Sequence, residues 1–415
     1  MEFIFELATP TDDPTIRRLL ANNPVPGRVT VTYEREPNCF LGCGTMGHFC
    51  QVLVARHQPT GAVAAVASRS TRPLFVNGRI EEVGYIGQLR VAEQFRGRWV
   101  VSGGFRFFHQ LHADGRVAGY LTTIIEGNTQ AQGILIDRAR RHFPIYREVD
   151  RLCTLAIILR KPHKLHGAYG TVRNLFVPRT RAKPPLETHQ SEASPWDVPA
   201  HRGPSALHSL PLGRHTLELI SASPADLPAI IAFLRKHGPV KQFFPTYTEA
   251  DFSDSPTTLG FRLEDFVLAR QKSEIVGVIG LWDQSSYKQT VVQAYNDSLH
   301  WLGPIYNAWL HLSGAQPLPP PGQPIHFAYA SFICLAENNP DIFGILLQYV
   351  YNLAVERGYA YLMVGLSTRD PLLRVARKYA HIPYYSRLYT VCWQDEVSFH
   401  EKLDSRIPYL EIATL

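Results

Sequence analysis

The sequence predicts an α/β (α+β) protein built in two like halves. Three observations predict it. An order of strand, turn, helix, strand, helix, strand is legible before residue 160 and again after residue 215. The two runs keep step, because the interval from Trp99 to Asp341 equals the interval from Asn128 to Asp370. A unit repeated in register points to duplication. Finally, the chain has 415 residues, more than one ordinary domain holds.

The elements follow in order. In the first half a strand reads "VGYIGQLRV", and the helix after it reads "WVVSGGFRFFHQLH". Val101, Phe105, Phe108 and Leu111 recur there at helical spacing and make one apolar face. A strand "AGYLTTII", a helix "NTQAQGILIDRARRH" and a strand "DRLCTLAIIL" complete the unit. In the second half the strands are "HFAYASFICL", "YAYLMVGL" and "RLYTVCW". Pro340 opens a helix behind the cap candidates Asn338 and Asn339. Gly358 ends that helix as a C′ residue, and Asp370 caps the next with Pro371 at its first position.

Composition narrows the class. Apolar residues make up 45% and aromatics 11%, enough for true cores, which excludes wholesale disorder. No apolar run has the length of a membrane span, and the start "MEFIFELATPTDDP" is acidic, so a soluble, cytoplasmic protein is expected. Six scattered cysteines suit a reducing compartment. Cys39, Cys43, His48 and Cys50 cluster in sequence, but their spacing matches no standard zinc pattern, and no metal is assigned. The net charge is +6. From Arg160 to Arg214 the chain carries nine Lys/Arg, three Asp/Glu and eight prolines, so the whole excess lies there. It reads as a solvated linker rather than a polyanion-binding arm, and no nucleic-acid partner is expected. The predicted organisation is a domain over 1–160, a linker over 161–214 and a second domain over 215–415.

The stretch "EQFRGRWVVSGG", Glu93 to Gly104, stands between a strand and a helix start. Backbone N–H groups point outward in such a turn, and the helix dipole favours negative charge. Gly97 lets the backbone approach a phosphate, Arg96 and Arg98 add charge, and the N–H groups of Gly97 to Val101 can receive pyrophosphate oxygens. Trp99 crowds the turn at one position, yet the donor is an amide and a Trp turned outward leaves it usable. Gly103 and Gly104 cost the helix about 1 kcal/mol each, so they call for a close approach to a ligand or strand, or a later helix start. An ordinary turn that binds nothing is the alternative.

The order strand, Gly turn, helix, strand, helix, strand with Gln94-Phe95-Arg96-Gly97-Arg98-Trp99 resembles the GNAT superfamily of acyl-CoA N-acyltransferases. Gln94 and Gly97 match its pyrophosphate loop, and Trp99 departs from it. Asn128 stands where that superfamily often has an Asn near the pantetheine arm. The resemblance covers residues 1–160 well and 215–415 in element order only. It implies two GNAT-like domains, each a mixed, mostly antiparallel sheet flanked by helices. It implies acetyl-CoA or another acyl-CoA as cosubstrate, held by Leu89, Arg90, Val91, Arg96, Gly97, Arg98, Trp99, Val100, Val101 and Asn128. The second half lacks the loop: Glu337-Asn338-Asn339-Pro340-Asp341 has no Gly and no basic residue, so it is expected not to bind CoA.

Acyl transfer to an amine needs a base, an oxyanion donor and a proton for the leaving thiolate. The resemblance places a Glu base near Val83, so Glu82 is one candidate, a single position off. Glu126 is the other, at the carboxyl edge of a strand. The N–H of Arg90 or Val91 would face the oxyanion. The superfamily's usual acid, a Tyr, is replaced by Leu135. Tyr146 and the terminal carboxylate of Leu415 are further options. The lone histidines of "GHFC" and "HFAY" read as core residues, and the aromatics from Tyr295 to His311 as packing or an acceptor-pocket wall. The expected function is acyl transfer to a small-molecule or protein amine. The alternative is a non-catalytic protein that binds CoA or another ligand.

Overall fold

The computed structural model describes residues 2–97, 99–137, 143–161, 208–212, 215–296, 307, 310, 312–393 and 398–415. The predicted helix residues 138–142, the loop residue Arg98, most of the predicted linker and most of the Tyr295–His311 run lie outside these. Within the predicted linker, His208–Leu212 form a strand.

The first half comprises β1 (Phe3–Leu7), α1 (Asp13–Ala21), β2 (Val29–Glu34), a turn of helix α2 (Cys43–Met46), β3 (Phe49–His57), β4 (Val63–Val76), β5 (Arg79–Val91), α3 (Val100–His112), β6 (Tyr120–Ile125), α4 (Thr129–Gln132) and β7 (Ile145–Ile158). The second comprises β8 (His208–Leu212), β9 (His215–Ser221), α5 (Leu227–His237), β10 (Phe266–Gln271), β11 (Glu274–Trp282), β12 (Gln289–Tyr295), β13 (Phe327–Leu335), α6 (Pro340–Glu356), β14 (Tyr361–Ser367), α7 (Leu372–Ala376), β15 (His381–Cys392) and α8 (Ser398–Glu401).

The halves do not keep separate sheets. Thirteen strands form one sheet in the order β1-β3-β4-β5-β6-β15-β7-β14-β13-β11-β10-β9-β8. Strand β15, from the second half, lies between β6 and β7 of the first. Strand β7 in turn pairs with β14. Most neighbours are antiparallel, and two pairs are parallel: β5 with β6 and β13 with β14. A separate two-stranded ribbon joins β2 to β12, so each half supplies one strand.

Helix α3 begins at Val100 and buries Val100, Phe105 and Phe108. Gly103 has a packing reason, because a Cβ there would collide with the ring of Phe5 on β1. Gly84 plays the same part between strands, since a side chain would strike the ring of Tyr120. Those two residues are direct partners across β5 and β6. Pro340 and the cap Asn339 start α6 as the sequence predicts, and Gly358 follows it with φ +80°.

Candidate active site

Strands β5 and β6 form a parallel ladder at Gly84–Tyr120 and Tyr85–Leu121, are tied once more where the Thr122 hydroxyl donates to Ile86 O at 2.8 Å, and then part. Beyond that point β5 stays with β4, and β6 stays with β15. A β-bulge sits on the parting strand. Gln88 has φ +56°, and the register against β4 slips between the Ser68–Gly87 and Val66–Arg90 pairs. An extra residue reverses the faces that follow it. Hence Arg90 opposes Val66 on the same sheet face as Tyr85 opposite Ser70 and Val83 opposite Arg72.

That face lines a cleft. Ser70, Arg72, Val83, Tyr85 and Leu121 form one wall, and Phe243, Pro245, Leu410, Glu411 and Leu415 form the other. The Tyr85 hydroxyl lies 2.8 Å from the Thr123 hydroxyl. Arg72 is 8% exposed, sits 5.6 Å over the Tyr247 ring, and its Nε and Nη1 make no hydrogen bond.

The loop after β5 turns at Gly97, with φ +78°, and a Cβ there would meet nothing within 4 Å. Trp99 is 66% exposed at the start of α3, and no side chain caps that helix. Arg96 reaches Asn23 with a 2.7 Å hydrogen bond to its Oδ1, so its charge is steered to one side of the turn. Leu89 packs on the α3 side with Tyr146, and Val91 pairs with Ala65. Val100 is buried and Val101 half-buried. Asn128 caps α4, its Oδ1 accepting from Ala131 N at 3.0 Å. Gly97, Trp99 and the first turn of α3 thus stand at one mouth of the opened strands.

Neither predicted carboxylate sits in the cleft. Glu82 is exposed and opposes Pro73, one position from Val83 and so on the opposite face. Glu126 is clamped by Arg151 through bonds of 2.8 and 2.7 Å, with Arg387 at 3.4 Å. The Arg151 hydrogen bonds hold its carboxyl below the usual range, which weakens it as a base. Leu135 is buried in a core cluster, and burial pushes the Tyr146 phenol up, consistent with a core aromatic.

A histidine read as a core residue has another partner. His48 Nε2 lies 2.7 Å from Asp251 Oδ1, and its side chain is 42% exposed. Asp251 also accepts from Thr248 N at 2.7 Å and from the Thr257 hydroxyl at 3.0 Å. Burial raises its pKa, and these hydrogen bonds outweigh burial and hold it well below the usual carboxylate range. Met46, two residues before His48, lines the cleft. With His48 turned to Asp251, it does not converge with Cys39, Cys43 and Cys50, and among the described residues no group of ligands suits a metal. The sequence holds no signal for this pair, whose members come from opposite halves.

The second half carries the same device with a different outcome. Strands β13 and β14 pair from Phe327–Tyr361 to Tyr329–Met363 and then part. Phe332, with φ +57°, stands three residues past the last pair, as Gln88 does in β5. Here the chain's own segment 409–415 enters. Glu411 Oε2 accepts from Phe332 N at 2.7 Å and from the Tyr409 hydroxyl at 2.7 Å, while Ile333 N donates to that hydroxyl at 3.2 Å. Ile412 packs where a Cβ on Gly365 would be. Asn339 caps α6, accepting from Asp341 N at 2.8 Å and from Ile342 N at 3.3 Å.

Solved structures share the overall fold of this chain. One is a GCN5-related N-acetyltransferase from Sphaerobacter thermophilus, at 14% identity and TM-score 0.50, matching 100% of this chain and 99% of that one. Another is Saccharomyces cerevisiae N-myristoyltransferase with bound myristoyl-CoA, at 12% identity and TM-score 0.56, matching 94% and 79%. The chain has the GNAT fold. A third GNAT-fold neighbour is the glucosamine N-acetyltransferase region of a fungal multi-domain GH3 β-N-acetylglucosaminidase, at 12% identity and TM-score 0.55, matching 94% of this chain and 38% of that one. No protein-family model and no curated protein matches the sequence. Among the described residues no helix is long and apolar enough to cross a membrane.

Proposed function

We propose that the chain is an acyl-CoA-dependent N-acyltransferase, with acetyl-CoA as the simplest donor and the first half as its holder. The observation that carries this reading is the opening between β5 and β6, flanked by the Gln88 bulge and leading to the Gly97 turn. Pyrophosphate would lie on the N–H groups of Gly97 to Val101, at a helix start that no side chain caps. The thioester would lie between the parted strands, with its oxygen at the bulge N–H groups. An amine entering from the cleft attacks the carbonyl carbon, the C–S bond breaks, and CoA leaves as a thiolate that takes up a proton. His48, held by Asp251, is the proton acceptor this arrangement supports, in place of Glu82 and Glu126. The likeness to a neighbour with bound myristoyl-CoA supports an acyl-CoA as cosubstrate in general.

A second reading has its own observation. The superfamily's acid position is Leu135, and Glu82 faces away from the cleft. On that reading the chain binds CoA without transfer. A panel of small amines and lysine peptides with acetyl-CoA, read as free thiol release alongside the shift in melting temperature, separates the two. Saturation at 100 times Kd adds about 2.7 kcal/mol of stability. Shift with release supports the transferase, shift alone supports the binder, and no shift contradicts both.

A further inference from the structure

Several cations elsewhere in the chain have carboxylate partners, although the buried Arg72 has none among the described residues. Lys241 meets Asp370 at 2.6 Å, Arg56 meets Asp12 at 2.8 Å, and Arg69 meets Asp114. Arg35 and Arg90 do not. Arg35 follows β2 and is 7% exposed, lying against Gly42, whose Cβ would sit 3.6 Å from Arg35 Cδ and Nε. Its Nη1 donates to Glu34 O at 3.2 Å, and among the described residues no carboxylate lies within ion-pair reach. Arg90 is turned to the cleft face by the bulge, and its Nη1 donates to Leu89 O at 2.9 Å. It too has no ion pair among the described residues. Lys288, beside β12, adds a third positive charge. Its Nζ donates to Ala413 O at 3.1 Å and Leu415 O at 2.6 Å.

Burial lowers the pKa of all three, and neighbouring cations add to it: Arg90 acts on Arg35, and Arg35 acts on Lys288. Lys288 is already answered by Ala413 O, by Leu415 O and by the nearby Glu411, so the unpaired cations are Arg35 and Arg90. Arg90 and Lys288 are half-buried. Buried, unpaired cations of like sign are costly, and an anionic ligand offsets that cost. Two guanidinium groups with unused N–H donors suit a carboxylate, which accepts two parallel bonds.

Resting on the donor site proposed above, we propose that Arg35 and Arg90 form a carboxylate subsite on the acceptor side of the cleft, so that the substrate carries an acid group. That group belongs either to an amino-acid acceptor or to a dicarboxylic acyl chain on CoA. The test measures affinity by calorimetry for L-amino acids against their C-terminal amides, and for succinyl-CoA against acetyl-CoA. Arg35→Gln, Arg90→Gln and Arg35→Lys serve as variants. The expected result is at least a tenfold preference for the acid form in one arm, lost in both Gln variants and partly kept in Arg35→Lys, with acetyl-CoA affinity within threefold of the native protein in the two Arg35 variants. A preference in the amino-acid arm assigns the carboxylate to the acceptor, and one in the succinyl arm assigns it to the acyl group. No preference in either arm, or a preference that both Gln variants retain, overturns the subsite. Absence of acetyl-CoA binding sinks the donor reading instead, and the amino-acid arm measured without CoA still decides the subsite.

Discussion

The molecule contains two clefts of one design, and they differ in what fills them. In both, parallel strands part after a short ladder, and a residue with positive φ stands three positions further on. In the second, Glu411 takes the N–H of that residue and Ile412 packs on Gly365. In the first, no side chain among the described residues takes the N–H of Gln88 or Leu89. The helix starts differ in the same sense: Asn339 caps α6, and no side chain caps α3. One backbone device therefore serves two ends. Left open, it suits a ligand; filled by the chain's own last residues, it becomes part of the core. From the same segment Leu410, Glu411, Thr414 and Leu415 then wall the first cleft.

The largest expected effect breaks the filled cleft. Gly365→Val forces Ile412 out of its place and is predicted to cost about 3 kcal/mol, read from urea denaturation. Gly97→Ala, in open space, is predicted to cost no more than about 1 kcal/mol from its positive φ alone. Equal losses in the two variants would mean the clefts are filled alike.

Next comes Glu411. Replacing it by Ala orphans the Phe332 N–H and the Tyr409 hydroxyl, for a predicted loss of about 2–4 kcal/mol. Its pH dependence has a definite sign. Burial raises its pKa above 4.5 in the folded state. Its contribution is therefore fully present below pH about 4.5 and declines as pH rises toward the folded value, because the unfolded chain releases its proton first. Glu411→Gln keeps an acceptor for Phe332 and should flatten that decline. A melting-temperature profile between pH 4 and 8 checks it, and an unchanged slope argues against a buried, titrating Glu411.

Smaller effects sharpen the contrast between the carboxylates and the His48–Asp251 pair. If transfer is observed, His48→Gln is predicted to lower kcat by about 10²-fold or more. Glu82→Gln and Glu126→Gln are predicted to stay within about threefold in kcat. A loss of activity in Glu126→Gln alone would restore it as the base. Arg151→Gln, which breaks an exposed ion pair with Glu126, is predicted to leave the melting temperature essentially unchanged.

The sequence carried the local part of this design. Gly97 before an apolar-faced helix marked the turn, and Pro340 and Gly358 bounded α6, because caps and turns depend on neighbours in the chain. Pairing across the chain was not legible. Nothing in "RLYTVCW" says that β15 lies between β6 and β7, since strand partners are chosen by the whole sheet. The bulge at Gln88 broke the two-residue alternation: simple counting puts Arg90 on the face of Glu82 and Gly84, and the bulge turns it to the face of Val83 and Tyr85. The residue one position from the expected base, Glu82, failed for the complementary reason, since no bulge lies between it and Val83. Glu411 and His48 gave no signal, because each owes its role to a residue from a distant segment.

The most direct measurement is an isothermal titration of the full chain with acetyl-CoA, beside Gly97→Glu and its strain control Gly97→Ala. An open first cleft and a filled second one predict one site per chain, lost in Gly97→Glu and kept in Gly97→Ala. Two sites per chain, or a single site untouched by Gly97→Glu, would contradict the account.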